Sequence, residues 1–246
     1  MIERLASVGL QYIGYAFELA LVGYIALRGQ FRRLFGLALY VAGLFLIDGI
    51  GRPFVLYRFG LDSRQYAYTY WLSDAILVLA AFALVWALFR RACKDEPKIW
   101  PIVRLALALT LILVAGISFL SLSSHFDELL TRFIVEFEQN LYFSCLVLNT
   151  LLFLLLQQTN SADEELRLLV CGLGIQFAGP AASYALVHLT PGQGFAISLN
   201  EYVQPLCTMG MLLTWLYAVA WMPQRASAPA TGTGMEEMVK AHAREY

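Results

Sequence analysis

Long apolar stretches separated by short polar breaks set the pattern of this chain. Seven stretches are nearly free of charge: 5–27, 34–54, 66–89, 100–122, 137–156, 166–189 and 201–221. A helix needs about 20 mostly apolar residues to cross roughly 30 Å of hydrocarbon. Backbone polar groups cannot stay unpaired there, so such stretches fold as helices. The pattern predicts an all-α integral membrane bundle of seven transmembrane helices over residues 1–222. The first stretch is too long for a cleaved signal peptide, carries Glu18, and is followed by no small-residue cleavage site.

Local signals support these boundaries. Ser161-x-x-Glu164 and Ser198-x-x-Glu201 have the form of capping boxes before spans six and seven, and Asp62-x-x-Gln65 is a looser one before span three. Pro101 stands where a first-turn proline belongs in span four. Residues 124–139 form the longest polar break. Leu129, Leu130, Phe133, Ile134 and Phe137 recur there at helical spacing, with Glu128, Arg132 and Glu136 on another face. An amphipathic extension of span five at the membrane interface is expected, either a solvated helix end or part of a lid or partner surface. After Trp221 the pattern stops. Residues 226–234, rich in Ala, Pro, Thr and Gly, read as a linker, and 235–246 as a frayed terminus or short helix. Together 223–246 make a tail.

Charge sets the orientation. Twelve Lys and Arg fall on the side of the 28–33, 90–98 and 225–244 segments, against five on the other. The basic side is then cytoplasmic, which puts the N-terminus outside and the C-terminus inside. Only 14% of residues are charged, well under the roughly 25% of soluble domains. A net charge of −1 disfavours a nucleic-acid partner. Cys93, Cys145, Cys171 and Cys207 form no CxxC pair and read as small buried apolar residues.

The most informative residues are carboxylates at membrane depth. Glu18 lies mid-way along span one, Asp48 in the outer part of span two, and Asp74 about 12 Å into span three at 1.5 Å per residue. Each charge there costs roughly 2.5–3.5 kcal/mol to insert, so each must be paired, hydrogen-bonded or protonated. Arg52 is four residues from Asp48, which suggests a helix-end ion pair; Glu18 and Asp74 have no sequence-local partner. Aromatic residues concentrate toward the outer side, among them Tyr66, Tyr70 and Trp71. They make either an interfacial belt or an aromatic pocket beside Asp74, with Tyr70 at i, i+4 from that acid, suited to an organic cation. Asp74, Glu18, Tyr70, Trp71 and Tyr66 are therefore the candidate ligand-binding residues. Asp48, Arg52, Asn149 and Gln176 are candidate structural polar residues, Asn149 and Gln176 as interhelical hydrogen-bonders. Gly172, Gly174, Ala178 and Gly179 allow close approach in span six, and Pro180 and Pro205 are expected to kink spans six and seven.

Several chemistries lack their residues. Span seven has no lysine for a retinal, and His125, His188 and His242 do not form haem or zinc sites. No GxSxG, HExxH or Walker loop is present. No catalytic residue, metal or cofactor is expected. Spans one to three and five to seven share orientations across span four, as in a 3+1+3 duplication. The proline-glutamine motifs of the sugar transporters with that layout are absent from spans one and five; Pro223-Gln224 follows span seven.

The stretch Tyr66-Ala-Tyr-Thr-Tyr-Trp-Leu-Ser-Asp74, leading into a helix closed by Phe89-Arg-Arg91, resembles a group of uncharacterised seven-helix membrane proteins of soil bacteria. The resemblance implies a multi-pass protein of the bacterial inner membrane and carries no function. Two classes remain. One is a non-enzymatic ligand-binding or sensory module, or an accessory subunit, with the lipid bilayer and membrane or cytoplasmic proteins as partners. The other is a small proton- or cation-coupled transporter using Glu18 and Asp74.

Overall fold

A computed structural model describes residues 2–61, 63–94, 98–120, 129–158, 163–189 and 194–226. Among the described residues every regular element is a helix. We number them α1 (Ile2–Leu27), α2 (Phe35–Phe59), α3 (Arg64–Ala92), α4 (Trp100–Leu120), α5 (Leu129–Gln158), α6 (Glu164–Leu189) and α7 (Gly194–Ala226). Six segments are long and apolar enough to cross a membrane: Gly9–Leu27, Phe35–Phe59, Arg64–Ala92, Trp100–Leu120, Phe133–Gln158 and Val203–Trp221. Their outward sides are apolar too. Leu39, Leu72, Ile76, Ile102, Leu113 and Leu151 are all exposed. A soluble protein would not present such a surface, whereas hydrocarbon favours it. The chain has the build of a multi-pass membrane protein.

Helices α1, α2, α3, α5, α6 and α7 pack in that order, and α7 returns to α1 to close a ring. Helix α4 stands outside it, against α5 and α3. Its sequence explains why: its buried residues are Leu107, Val114 and Ser118, a single narrow seam. The tightest packing is between α6 and α7. A Cβ on Gly172 would come within 2.7 Å of Trp215 Nε1, and one on Gly179 within 2.3 Å of Cys207 Sγ. The two glycines are seats for α7 side chains, and Trp215 Nε1 then donates to Leu169 O at 2.8 Å.

The helix starts differ from the sequence signals. Ser63 caps α3: its Oγ accepts from Tyr66 N at 3.1 Å. Asp163 caps α6, accepting from Leu166 N at 3.0 Å. Asp62 and Ser161 lie outside the described residues. Ser198 is inside α7, which begins at Gly194, so it does not mark the helix start. The expected interfacial extension of span five is continuous with α5, which runs 30 residues from Leu129. Helical assignment continues through Pro180 and Pro205. Residues 121–128 and the tail from 227 lie outside the described residues.

A local irregularity occurs in α2. Residues Phe45–Gly51 form a π turn, with Arg52 N–H bonded to Ile47 O, between two α-helical parts. Pro53 lies just beyond. A proline has no N–H and its ring crowds the carbonyl four residues back. A wider turn there relieves both, and Gly49 and Gly51 supply the room: a Cβ on Gly51 would be 3.2 Å from Leu46 O. Such turns recur at functional sites.

Candidate functional site

The π turn presents Asp48 and Arg52 to the start of α3. Arg52 Nη1 lies 2.9 Å from Asp48 Oδ1, an i, i+4 ion pair. The same guanidinium pairs with Asp74 through Nη2 and donates from Nε to Ser73 Oγ at 3.0 Å. Its Cζ stands 4.4 Å from the Tyr70 ring centroid. Ser73 in turn donates to Tyr70 O at 2.7 Å. Arg52 is thus held from one side by its own helix and from three points by one turn of α3. Its side chain is 17% exposed and that of Asp74 19%. A charge so deep in an apolar bundle is tolerated only when paired and hydrogen-bonded, as here.

The acid-and-aromatic arrangement read from Tyr70 and Asp74 is real in geometry, and the chain's own Arg52 fills it. Tyr66 packs on Tyr70 with ring centroids 6.3 Å apart, and Trp71 meets Tyr70 edge-on at 5.8 Å. Arg52, assigned by sequence to Asp48 alone, bridges α2 and α3.

Glu18 on α1 borders the same cluster. It is 3% exposed, and its Oε2 has no hydrogen-bond partner among the described residues. Asp48 is within electrostatic reach of it. Tyr15, one turn earlier, donates to Asp48 O at 3.0 Å and ties α1 to the π turn. Glu138 on α5 approaches from the far side, within reach of the Asp74 and Arg52 charges. The sequence puts Glu138 at the start of span five, within the expected interfacial extension. The helix begins at Leu129, so Glu138 is about 13 Å inside it at 1.5 Å per residue. Asp48 and Asp74 therefore pair with Arg52, Glu138 is within reach of its charge, and Glu18 joins the cluster through Asp48. If all these carboxylates were ionised the cluster would carry three net negative charges, so protons or a cation must accompany it.

Asn149 and Gln176 are in the other half of the ring. Asn149 Nδ2 donates to Val170 O at 3.1 Å, joining α5 to α6. At Gln176 the backbone makes an interhelical bond: Tyr142 donates to Gln176 O at 2.7 Å. The Gln176 side chain is buried with Oε1 unpartnered. Cys93 and Cys145 are buried and Cys207 partly so, but Cys171 faces outward, contrary to its expected burial; all four are free thiols.

A second polar cluster, at the opposite end of α3, was missed by sequence reasoning. Arg91 donates to both Asp163 oxygens, at 2.9 and 3.0 Å, and to Glu165 Oε2 at 2.9 Å. Arg33 donates to Glu165 Oε1 at 2.7 Å. This clamp fixes the start of α6 to α3 and to the α1–α2 loop. Its partners are 72 to 132 residues apart in sequence, so no spacing reveals it. No group of metal-ligating residues occurs among the described residues. No protein-family model, no curated protein and no solved structure matches the chain.

Proposed function

We propose that the chain is a non-enzymatic, seven-span protein of the bacterial inner membrane that takes up a proton at the Glu18–Asp48–Arg52–Asp74 cluster and reports it, as a sensory module or accessory subunit. The observation that carries this is Glu18, buried at bilayer depth with one oxygen unpartnered beside a paired Asp48. A carboxylate in that position is stable when protonated, and ionising it pits a buried negative charge against its neighbours. The resulting free-energy change bears on α1, α2 and α3 together, through Tyr15, the π turn and Arg52. Helix α6, 26 residues long, supplies the seventh span. The excess of basic residues on the 28–33 and 90–98 side supports an N-terminus outside and a tail in the cytoplasm. Partners would then be reached through the bilayer or the tail.

Infrared difference spectroscopy of the reconstituted protein across a pH step tests it. The expected result is a protonated-carboxyl band that Glu18→Gln removes. A spectrum identical in the variant overturns the reading. The surplus of carboxylates over arginine favours a second reading, a proton-coupled carrier. Proteoliposome uptake driven by a proton gradient and abolished by Glu18→Gln or Asp74→Asn would replace the first reading with that one. A companion protein retained on native purification would support the first.

A further inference from the structure

An open-sided cavity of about 960 Å³ lies at the other end of α2 and α3 from the carboxylate cluster. Its mouth and its wall differ in chemistry. Five cations, Arg32, Arg33, Arg90, Arg91 and Lys94, border it, with one carboxylate, Asp163. Arg33 and Arg91 are committed to the clamp on Glu165 and Asp163. Arg32, Arg90 and Lys94 are exposed and pair with no carboxylate among the described residues. Deeper in, the wall is apolar: Gly36 and Leu39 from α2, Ala83 and Ala87 from α3. The two helices approach closely there, since a Cβ on Gly36 would stand 3.5 Å from Ala87 Cβ. Leu39, Ala83 and Ala87 are exposed, so the groove opens sideways, on the face that hydrocarbon covers.

We propose that this cavity seats one anionic phospholipid, its phosphate against Arg32, Arg90 and Lys94 and its upper acyl chain along Gly36, Ala83 and Ala87. A soluble anion would use the cations and leave the groove empty. A zwitterionic lipid would fill the groove and leave the positive charge unbalanced. Only a lipid with net negative charge satisfies both surfaces, and basic pockets between helices at the membrane surface favour such head groups. The volume is within the roughly 300–1,000 Å³ of small-molecule sites. The proposal requires that the chain be embedded in a membrane and is independent of proton uptake at Glu18.

The test uses the full chain in neutral detergent, offered equal amounts of phosphatidylglycerol and phosphatidylcholine, with bound lipid read by native mass spectrometry. The expected result is one phosphatidylglycerol retained per chain, at least about tenfold over phosphatidylcholine. The combined Arg32→Ala, Arg90→Ala and Lys94→Ala variant should lose that preference, and Ala87→Trp should lose the lipid with every cation in place. Excess inorganic phosphate should not displace it. Equal retention of the two lipids, an unchanged preference in the triple variant, or full displacement by phosphate would each overturn the proposal. The three cations are exposed, so the triple variant is expected to melt as the parent does in phosphatidylcholine. Should Ala87→Trp not fold, the triple variant still decides.

Discussion

Replacing Arg52 by methionine keeps most of the side-chain volume and removes the charge. Asp48 and Asp74 then lose their cation together, because one guanidinium serves both. Removing one partner of a buried ion pair costs roughly 3–5 kcal/mol, most of it from the charge left behind. The pair is not fully buried: the Asp48 side chain is 31% exposed and that of Asp74 19%. The low end of that range applies, so Arg52→Met should destabilise the bundle by about 3 kcal/mol. That is a large part of the roughly 5–15 kcal/mol that holds a typical domain together.

The cause of the loss can be separated from the loss itself. If stranded carboxylates are responsible, Asp48→Asn and Asp74→Asn added to Arg52→Met should restore most of the stability. Acid should help as well. The folded variant must take up protons to bury those groups, and the unfolded chain at neutral pH holds none there. Folding then binds protons, and stability rises as pH falls. The assay is thermal unfolding in detergent micelles, followed by tryptophan fluorescence at neutral and mildly acidic pH. A single variant as stable as the parent, or a triple variant no better than the single one, would refute the view that Arg52 neutralises this cluster.

Other outcomes follow from the same packing and ion pairing. Gly172→Ala should cost roughly 1–3 kcal/mol in the same melt, because its Cβ meets the Trp215 ring at 2.7–2.8 Å and the ring is pinned to Leu169 O. Arg91→Ala should cost about 2–3 kcal/mol, since it leaves the buried Glu165 with only Arg33. Arg33→Ala should cost under about 1 kcal/mol, as Arg33 is 48% exposed and Arg91 still serves Glu165. Single cysteines at Lys94 and Arg58, in a background with the four native cysteines replaced, should react with an impermeant maleimide from opposite sides of right-side-out vesicles: Arg58→Cys directly, Lys94→Cys only after lysis. Labelling of both from the same side would reject the proposed orientation.

Sequence periodicity reached the helices because burial in lipid demands long uninterrupted apolar runs, and such runs are visible without knowing any contact. It reached the helix ends unevenly. The expected extension of span five is present, with α5 helical from Leu129, but the last helix starts at Gly194 rather than 201. Residues 194–200, Gly-Phe-Ala-Ile-Ser-Leu-Asn, are apolar enough to continue the last helix, but the Ser198-x-x-Glu201 pattern points to a start further on. Glu138 lies in the extension of span five, read as an interfacial segment, so its place within reach of Asp74 and Arg52 was not foreseen. The clamp of Arg33, Arg91, Asp163 and Glu165 was invisible for a different reason: it joins loops and helix ends that only the ring arrangement brings together. Counted by charge, those residues marked a membrane side; in the fold, two of the cations are spent on α6 and three remain at the cavity mouth.

Arg52 shows how a correct local reading changes meaning in three dimensions. Its spacing from Asp48 gave an ion pair, and that pair is present. What spacing could not give is that the π turn before Pro53 would set both residues against the first exposed-to-buried turn of α3, where Tyr70, Ser73 and Asp74 complete the enclosure. The site that seemed shaped for an external organic cation already holds an internal one, with hydrogen bonds and a ring face that a ligand would have to displace. Any ligand cation at Asp74 competes with a tethered guanidinium and starts at a disadvantage. Glu18 faces no such competitor. It shares the cluster's electrostatics through Asp48, keeps an oxygen unpartnered, and belongs to the helix that closes the ring against α7. On the proposed reading a proton is taken up at Glu18 and its effect reaches Arg52 through Asp48.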